Sequence, residues 1–338
     1  MKKIALVTGA SGQDGAYLCE FLLKKKYKVI AADRRSSRDN SWRFKKLNID
    51  HKIIKEDFDL LEFNSILRLF KKYKFNEVYN LGAQSFVKSS FDIPLITSNI
   101  NGLGVLRIID IIKNYSRKTK FYQASTSEMY GNANSKEQNE NTPFSPRSPY
   151  GVSKLFAHHI VKNYRESYNL FACSGILFNH ESPLRGDEFV TKKIIKNAIE
   201  IKLKKRKYMV LGNLYAKRDW GYSKDYVEAM WLMLQQKKPD DYVISTEKNF
   251  SIKEFVIFTF KYLGINIIWR GKGLNEKGIN KENNKVIVKI SKNYFRPAEV
   301  NFLKGSSKKA RQILRWKPKT SIHKLVKIMI DVELKNYL

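Results

Sequence analysis

A glycine-rich turn directly after a short apolar run is the feature that most constrains the fold of this chain. The run Ile4–Thr8 is predicted to form a buried strand, and a helix is predicted over residues 13–25. Glycines between them allow a tight turn and let the backbone approach a pyrophosphate at the helix N-terminus, where N–H groups are free. The spacing G-x-x-G-x-x-G also occurs in ordinary turns, but its place between a strand and a helix predicts a dinucleotide site. The residues of this loop are Gly9, Ser11, Gly12, Gln13, Asp14 and Gly15.

The first half of the chain alternates short apolar runs with helical stretches, which is typical of a parallel sheet with helices on both faces. We therefore predict an α/β fold, a Rossmann-type doubly wound parallel sheet with a smaller C-terminal α/β lobe. Predicted strands cover residues 4–8, 28–32, 52–55, 77–81, 121–125 and 171–178, and predicted helices cover 13–25, 61–73, 99–114 and 153–168.

Beyond residue 178 the alternation loosens into short helices, turns and isolated strands. Residues 225–236 and 242–246 again have the pattern of the first lobe, so we expect the chain to return to it there. The predicted domains are residues 1–178, with a return segment at 220–246, for the dinucleotide, and residues 179–219 with 247–338 for the substrate. Residues 271–284 are rich in Gly, Asn and Lys and are predicted to form a surface loop.

Composition limits the classes of partner. With 64 Lys and Arg against 32 Asp and Glu, the formal net charge is +32, which could indicate nucleic acid or a membrane surface as partner. The Lys residues are instead spread along the chain, with no basic stripe interleaved with aromatic residues and no nucleic-acid-binding motif. We therefore expect no nucleic-acid partner and a general attraction for small anionic substrates.

A membrane partner and a bound metal are not expected either. The longest apolar runs are about five to seven residues, too short to span a bilayer, and the first residues leave no room for a secretory signal. Cys19 and Cys173 are the only cysteines, so we expect neither a disulfide framework nor a cysteine metal site. These features predict a cytoplasmic protein with no metal.

The end of the second predicted strand carries opposing signals for the choice between NAD and NADP. Asp33 could bind a ribose 2′-hydroxyl and would repel a 2′-phosphate. Arg34, Arg35 and Ser36 follow immediately and could bind that phosphate with charge-assisted hydrogen bonds. We predict NADP as the cofactor, with NAD as the alternative.

The spacing of four residues predicts a catalytic set. Tyr150 and Lys154 stand at i and i+4 on one face of a helical stretch, and a neighbouring ammonium is expected to lower the pKa of the phenol and make it a better base. Thr126 lies at the carboxyl end of a predicted strand, where open α/β sheets bind ligands. Glu128 follows two residues later and could act as general base on a carbon-bound proton beside a ketone.

These residues resemble the extended short-chain dehydrogenase/reductase superfamily and, within it, the GDP-mannose 4,6-dehydratase family. The similarity extends over nearly the whole chain. The stretches that carry it are TGASGQDGAYL (8–18), RRSS (34–37), YNLGAQSFV (79–87), FYQASTSEMYG (121–131), TPFSPRSPYGVSKL (142–155), NYRESYNLFACSGILFNHESPLRG (163–186), KRDWGYSKDYVEAMWLMLQQ (217–236) and YFRPAEV (294–300).

The resemblance implies roles for residues across the chain. The implied catalytic set is Thr126, Glu128, Tyr150 and Lys154. Beyond the glycine loop and residues 33–36, the implied cofactor contacts are Asp57, Phe58, Leu81, Ala83, Ser85, Tyr150, Lys154, His180 and Arg185. The implied contacts with a GDP-sugar are Ser85, Asn179, Lys193, Arg218, Arg296 and Glu299. A homodimer or homotetramer is implied as well.

The resemblance also implies an internal oxidation, elimination of water and reduction, which yields a GDP-4-keto-6-deoxy sugar. An epimerase or a 4-ketoreductase of the same superfamily is the alternative, but these enzymes need no Glu two residues after the Thr, so Glu128 favours a dehydratase. The loop after Arg35 resembles a bacterial subgroup, some of whose members act on GDP-D-glycero-D-manno-heptose. GDP-mannose and that heptose therefore both stay candidate substrates.

Overall fold

Strands and helices alternate through the first half of the chain. The computed structural model describes residues 2–37, 39–133, 135–295, 298 and 300–337. The strands are β1 (Ile4–Thr8), β2 (Lys28–Asp33), β3 (Ile54–Asp57), β4 (Glu77–Asn80), β5 (Lys120–Thr126), β6 (Ala172–Leu177), β7 (His180–Glu181), β8 (Met209–Leu211), β9 (Lys217–Asp219), β10 (Gly221–Tyr222), β11 (Asp241–Ile244), β12 (Asn249–Ser251), β13 (Ile267–Arg270), β14 (Lys277–Asn280) and β15 (Val286–Ile290). The helices are α1 (Gln13–Lys24), α2 (Trp42–Lys46), α3 (Phe63–Lys72), α4 (Ser89–Asp92), α5 (Pro94–Ser98), α6 (Gly104–Tyr115), α7 (Pro149–Tyr168), α8 (Val190–Lys202), α9 (Ser223–Leu234), α10 (Ile252–Tyr262) and α11 (Ile322–Leu334).

Seven parallel strands form the central sheet, in the order β11-β6-β5-β4-β1-β2-β3. The strand order reverses between β1 and β4, so the chain leaves these two strands in opposite directions and opens a crevice at their carboxyl ends. The predicted doubly wound Rossmann-type fold is thus confirmed. The glycine turn after β1 lies at this crevice.

Side chains alternate between the two faces of the sheet. Along β1, Ala5 and Val7 pack in a core with α1 and α9, while Leu6 packs in a second core with α3, α6 and α7. Because both faces are covered, the strands are nearly continuous apolar runs. The edge strand β11 comes from the segment in which the sequence pattern indicates a return to the first lobe.

A second, smaller assembly of strands and helices follows the large sheet. Strands β13, β14, β15 and β8 form a four-stranded sheet in that order. Its apolar side packs with α8, α10 and α11 around residues such as Ile195, Phe255 and Met329. Two short ladders, β10 with β7 and β12 with β9, connect this assembly to the crevice.

The prediction of a surface loop over residues 271–284 is wrong, because it contains β14, an inner strand of the four-stranded sheet. Gly278, Ile279 and Asn280 are buried there. A Cβ on Gly278 would lie 3.0 Å from the Cβ of Val288 on β15 and 3.3 Å from the ring of Trp269. The glycine that suggested a loop is therefore required by the close packing of the strand against its neighbours.

Several predicted bounds shift by a few residues. Strand β3 begins at Ile54 rather than at residue 52, because a short 3-10 turn occupies Asp50–Lys52. Helix α7 begins at Pro149 rather than at residue 153. Proline suits the first position of a helix, where its missing N–H would have no partner, and the Ser148 hydroxyl accepts a hydrogen bond from the Gly151 N–H at 3.0 Å.

One helical run, Pro94–Tyr115, is long and apolar enough to cross a membrane, contrary to the expectation from the short apolar runs of the sequence. It combines α5, a π-helical turn over Asn99–Leu103 and α6. Half of its apolar window is buried within the protein, where Ile108 and Ile112 pack in the core with α3 and α7. A helix that packs in a protein core meets the same criteria of length and composition, so the run by itself does not indicate a membrane span.

Candidate active site

The glycines of the loop at the N-terminus of α1 are required by close contacts with the protein backbone. Gly9 has a φ of +63°, and a Cβ there would lie 2.8 Å from the backbone of Gly82, in the turn after β4. Gly12 is the N-cap of α1 and provides no side-chain hydrogen bond to the first turn. The first N–H groups of a helix have no partner within it and favour an anion. The loop therefore meets the requirements of a dinucleotide pyrophosphate.

Asp33, at the end of β2, binds the glycine loop itself. Its Oδ2 accepts a hydrogen bond from the Ser11 N–H at 2.8 Å. Burial raises the pKa of Asp33 to about 6, although the Ser11 N–H and the Arg43 guanidinium oppose this rise. Arg34 and Arg35 directly follow β2 and are exposed.

Three more of the predicted cofactor residues lie near the carboxyl ends of β2 and β3. Asp57 on β3 pairs in register with Asp33 and is exposed. Phe58 is buried, and its N–H donates to the Asp33 carbonyl at 2.9 Å. Ser36 is exposed beside the two arginines. These residues lie at the carboxyl ends of β2 and β3, on the side of the sheet where β1 meets the glycine loop.

A cavity of about 460 Å³ continues from the loop along the carboxyl ends of β4, β5 and β6. It brings together most of the side chains predicted for the site. Those that line it are Asp14, Leu81, Ala83, Ser85, Thr126, Glu128, Tyr150, Lys154, Asn179, His180, Arg185, Lys193 and Arg218. The predicted residues Arg296 and Glu299 lie outside the described part of the chain.

The carboxyl end of β5 and the first turn of α7 position the four predicted catalytic residues. Thr126 ends β5, and its Oγ1 accepts a hydrogen bond from the Glu128 N–H at 3.2 Å, which holds the 3-10 turn Ser127–Met129. Thr126 and Glu128 are both buried. Since α7 begins at Pro149, Tyr150 lies in its first turn and Lys154 lies one turn later on the same face.

Burial dominates the electrostatics of the Tyr150 and Lys154 pair. It raises the pKa of Tyr150 to about 12; the Glu128 carboxylate adds to this rise, and a hydrogen bond with Thr126 opposes it. Burial also lowers the pKa of Lys154 to about 8. The Lys154 Nζ donates to the Ala124 carbonyl at 2.9 Å and lies 6.0 Å from the centre of the Tyr150 ring. The expectation that Lys154 lowers the pKa of Tyr150 is therefore wrong for the protein alone.

A partly buried ion pair links the glycine loop to the segment after β6. The His180 Nε2 lies 2.8 Å from the Asp14 Oδ2, and its Nδ1 lies 2.7 Å from the Phe178 carbonyl. Burial disfavours the imidazolium, but the Asp14 carboxylate outweighs it and raises the pKa of His180. Burial likewise disfavours the carboxylate, yet His180 holds the pKa of Asp14 below its usual value.

Gln13 makes a second link to the same segment. Its amide donates to the His180 carbonyl at 3.1 Å and accepts from the Ser182 hydroxyl at 2.7 Å. Arg43 adds a third, donating to the Ser11 carbonyl at 2.9 Å and to the Leu184 carbonyl at 2.8 Å. Sequence reasoning missed Arg43 because it lies in a short helix, outside the residues of the loop. The loop is therefore bonded to residues 180–184 by side chains as well as by packing.

The far wall of the cavity combines polar and aromatic groups. Asn179 has a buried Oδ1 without a hydrogen-bond partner among the described residues, which is unusual for a buried polar atom and suits a ligand donor. Arg185 packs over the Phe189 ring, 3.5 Å from its centre. The Lys193 Nζ lies 3.6 Å from the centre of the Tyr294 ring. Arg218 is buried and donates to the Val300 carbonyl at 2.6 Å.

Tyr294, Phe86 and Phe189 were not predicted as site residues, although all three line the cavity. Phe86 and Phe189 pack edge to face with ring centres 5.8 Å apart. Near them, the Lys88 Nζ donates to the Asn293 carbonyl at 3.3 Å. Apolar side chains carry no recognisable spacing in a sequence, and only the fold brings residues 86, 189 and 294 together.

Comparison with known proteins identifies the family. A sequence model of the family described as GDP-mannose 4,6 dehydratase matches residues 6–329. The chain belongs to the GDP-mannose 4,6-dehydratase family. The enzyme of that name from Cricetulus griseus is 49% identical over 98% of this chain and 92% of its own length. The GDP-mannose 4,6-dehydratase of Sinorhizobium fredii is 45% identical over 98% of this chain and 97% of its own.

Solved structures share the fold of this family member. A dTDP-glucose 4,6-dehydratase from Bacillus anthracis in complex with NAD has a TM-score of 0.82 at 21% identity and covers 99% of this chain and 97% of its own. A UDP-glucose 4-epimerase from Thermus thermophilus in complex with NAD has a TM-score of 0.80 at 22% identity, over 98% and 99% of the two chains. At such identities the similarity establishes the extended α/β fold alone.

The Asp14–His180 pair should make the free energy of unfolding depend on pH. Asp14→Asn removes the carboxylate and should lower the free energy of unfolding by about 2–3 kcal/mol, somewhat less than for a fully buried pair. The stabilisation by His180 is fully present below its ordinary pKa of 6.5 and is lost as pH rises through its raised pKa. That of Asp14 is present above 3.8 and is lost as pH falls through its lowered pKa. Denaturant unfolding should therefore show the largest loss of stability in Asp14→Asn between pH 3.8 and pH 6.5.

A matched control lies on the same helix. Glu20 on α1 pairs with the exposed ammonium groups of Lys24 at 2.7 Å and Lys224 at 3.4 Å, so Glu20→Gln should cost less than about 1 kcal/mol. A deficit of Asp14→Asn that grows toward pH 8 would contradict the assignment.

Proposed function

We propose that this protein is a hydro-lyase that converts GDP-mannose to GDP-4-keto-6-deoxymannose by internal oxidation, elimination of water and reduction. The observation that carries the proposal is the convergence of Thr126, Glu128 and Tyr150 on one cavity beside the dinucleotide loop. The family membership of nearly the whole chain supports the same reaction. In this proposal, residues 1–178 with 220–246 hold the cofactor, and residues 179–219 with 247–338 hold the nucleotide-sugar.

The three steps divide among the side chains of the cavity. Tyr150, as phenolate, takes the proton of the sugar 4-hydroxyl, and Thr126 holds the 4-oxygen by a hydrogen bond. Glu128 takes the C5 proton, which the new 4-ketone makes acidic, and delivers it to the 6-hydroxyl, which departs as water. The hydride chemistry at C4 and C6 would be supplied by a bound nicotinamide, and C5 would regain a proton from solvent as C6 is reduced. Lys154 supplies positive charge beside the phenol.

Glu128 separates this reaction from those of related enzymes. A 4-epimerase or a 4-ketoreductase acts at C4 alone and needs no base at C5. Glu128 is buried at the cavity wall, two residues past Thr126. In that place its carboxylate is shielded from water and can reach a proton next to the 4-ketone.

The reaction predicts where an isotope label goes. GDP-mannose labelled with deuterium at C4 should give a product that has lost one water and carries the label at C6 of the same molecule. In heavy water, C5 should gain one solvent deuteron. Mass spectrometry and NMR of the product check both, with GDP-D-glycero-D-manno-heptose assayed in parallel. Label retained at C4 would indicate an epimerase, and consumption of external reduced cofactor would indicate a ketoreductase.

Two variants separate the steps. Tyr150→Phe removes the proton acceptor and should abolish the first oxidation. Glu128→Gln should permit that oxidation and block elimination, so the absorbance of reduced nicotinamide should accumulate with substrate. Identical loss in both, without that absorbance, would contradict the division of roles.

The cofactor is proposed to be NADP. Arg34, Arg35 and Ser36 are exposed next to the ribose position, and Asp33 already accepts a hydrogen bond from the loop. The two guanidinium groups can bind a 2′-phosphate, while the Asp33 carboxylate is held by Ser11. NAD is the alternative, because the second oxygen of Asp33 could accept from a 2′-hydroxyl.

The cofactor extracted from the purified protein should therefore be NADP(H) by mass. Arg34→Ala with Arg35→Ala should weaken NADP binding more than tenfold, a loss of about 1.4 kcal/mol or more, and leave NAD binding unchanged. Lys118→Ala with Lys207→Ala, at two exposed basic residues outside the site, removes the same two charges and is the control for net charge. Extraction of NAD(H) alone would contradict the assignment, and Asp33→Ala should then shift the preference toward NADP.

We also propose that the protein is a homo-oligomer, a dimer or tetramer, joined through one apolar face. This face consists of exposed side chains on the α5 segment and on α7, namely Leu95, Ile96, Leu103, Val152 and Phe156. The two elements touch, since a Cβ on Gly102 would lie 3.0 Å from the Phe156 ring. Leu95 is 87% exposed. A contiguous apolar face of this kind is typical of a surface that another chain covers, and a second copy presents the same face.

Light scattering should find a dimer or tetramer for the native protein. Leu95→Glu with Val152→Glu places charge on the face and should shift the protein to monomers. Leu274→Glu changes another leucine, 53% exposed and outside this face, and should have no effect. A native monomer would contradict the proposal.

A further inference from the structure

One face of α7 continues beyond the two predicted catalytic residues. His158 follows Lys154 by four residues, so Tyr150, Lys154 and His158 lie on three successive turns of the same face. His158 is 4% exposed, whereas its neighbour His159 is exposed. The His158 Nδ1 lies 3.2 Å from the hydroxyl oxygen of Ser125, which is also buried. Ser125 directly precedes Thr126 on β5.

The surroundings of His158 determine which ring nitrogen carries the proton. Burial lowers the pKa of His158 to about 4, although the Asp241 carboxylate opposes this, so the imidazole is neutral at physiological pH. The Nε2 faces the Asp241 Oδ2 at 3.9 Å, and a carboxylate there favours the proton on Nε2. The Nδ1 is then the acceptor, and the Ser125 hydroxyl donates to it.

Asp241 is itself held in place. Arg165, further along α7, donates to its two oxygens at 2.8 and 2.7 Å, and the Ser174 N–H donates to Oδ1 at 3.1 Å. Phe144 packs edge to face on the His158 ring, with centres 5.3 Å apart. The ring is therefore fixed both by packing and by its polar neighbours.

Two hydrogen bonds thus join α7 to consecutive residues of β5. The Lys154 Nζ donates to the Ala124 carbonyl at 2.9 Å, and Ser125 donates to His158. The next residue of β5 is Thr126. In the proposed reaction its hydroxyl acts with Tyr150 on the sugar 4-oxygen. The strand carries Thr126 and the helix carries Tyr150, so the spacing between these two groups depends on how strand and helix are joined.

We propose that His158 is a positioning residue for the dehydratase reaction: by accepting the Ser125 hydroxyl, it holds Thr126 at the correct distance from Tyr150 for oxidation at C4. The inference rests on the proposed function. His158 touches neither substrate nor cofactor in this assignment, since the Ser125–Thr126 segment lies between it and the sugar. A displaced Thr126 should slow the C4 step and leave GDP-sugar binding unchanged.

The test compares two substitutions of His158 with opposite effects on polarity and size. His158→Phe keeps a ring beside Phe144 but removes the acceptor, and it should lower kcat about tenfold with KM unchanged, as expected from the loss of one buried hydrogen bond. His158→Asn loses volume but can place its amide oxygen near the position of Nδ1. It should retain kcat within about threefold even where its melting temperature falls further. A purely structural role predicts that kcat follows the melting temperature.

Ser125→Ala completes a double-mutant cycle. If the two side chains act through their hydrogen bond, the double variant Ser125→Ala with His158→Phe should be no slower than either single variant. Both single variants should show a larger C4-deuterium isotope effect on kcat, because the C4 step becomes slower. His159→Phe, the exposed neighbour, is the control and should match the native protein.

Additive losses in the cycle, or a native kcat in His158→Phe, would overturn the positioning role while leaving the dehydratase assignment intact. Absence of water loss from GDP-mannose by the native protein would instead overturn the proposed function.

Discussion

The close approach of two backbone turns at the carboxyl ends of β1 and β4 is the constraint on which the site depends. Gly9 and Gly82 are so near that a Cβ on Gly9 would lie 2.8 Å from the Gly82 backbone. This contact directs the chain from β1 into α1 with its N-terminal N–H groups toward the crevice. Asp33, Arg43 and the Asp14–His180 pair then bind the loop from three sides. The surface proposed for the pyrophosphate is thus formed by backbone and fixed by side chains that need not touch the ligand.

Burial is the second physical constraint on the site, because it disfavours the charged forms of the proposed catalytic groups when no ligand is bound. The Tyr150 phenol has a pKa of about 12 and the Lys154 amine a pKa of about 8, so each group favours its uncharged form more than it would in water. Buried groups favour the uncharged form because the interior solvates charge poorly. The same burial strengthens every charge interaction that a bound substrate or cofactor brings. Burial therefore disfavours the Tyr150 phenolate in the cavity when no ligand is bound.

Much of the fold could be predicted from the sequence, because strands covered on both faces are continuous apolar runs separated by turn residues. Strand β14 could not be, since Gly278 is required by contacts with Val288 and Trp269, which only the folded chain brings together. Among the site residues, motif spacing indicates Thr126, Glu128, Tyr150 and Lys154, and all four line one cavity. The direction in which the pKa of Tyr150 shifts could not be predicted, because burial raises it. The Lys154 Nζ lies 6.0 Å from the centre of the Tyr150 ring, a distance that only the folded chain sets. Apolar cavity residues such as Tyr294 have no spacing that marks them.

The position of β11 has a consequence for the order in which the protein folds during synthesis. This strand pairs with β6, and its Asp241 receives the guanidinium of Arg165, yet it is translated more than sixty residues after β6. Until then the emerging chain presents the unpaired edge of β6 and a half-buried cation without its carboxylate. Exposed strand edges of this kind pair readily with other chains. The ribosome-bound chain therefore keeps this edge of β6 unpaired until β11 is made, and the arrival of Asp241 both pairs β6 and neutralises Arg165.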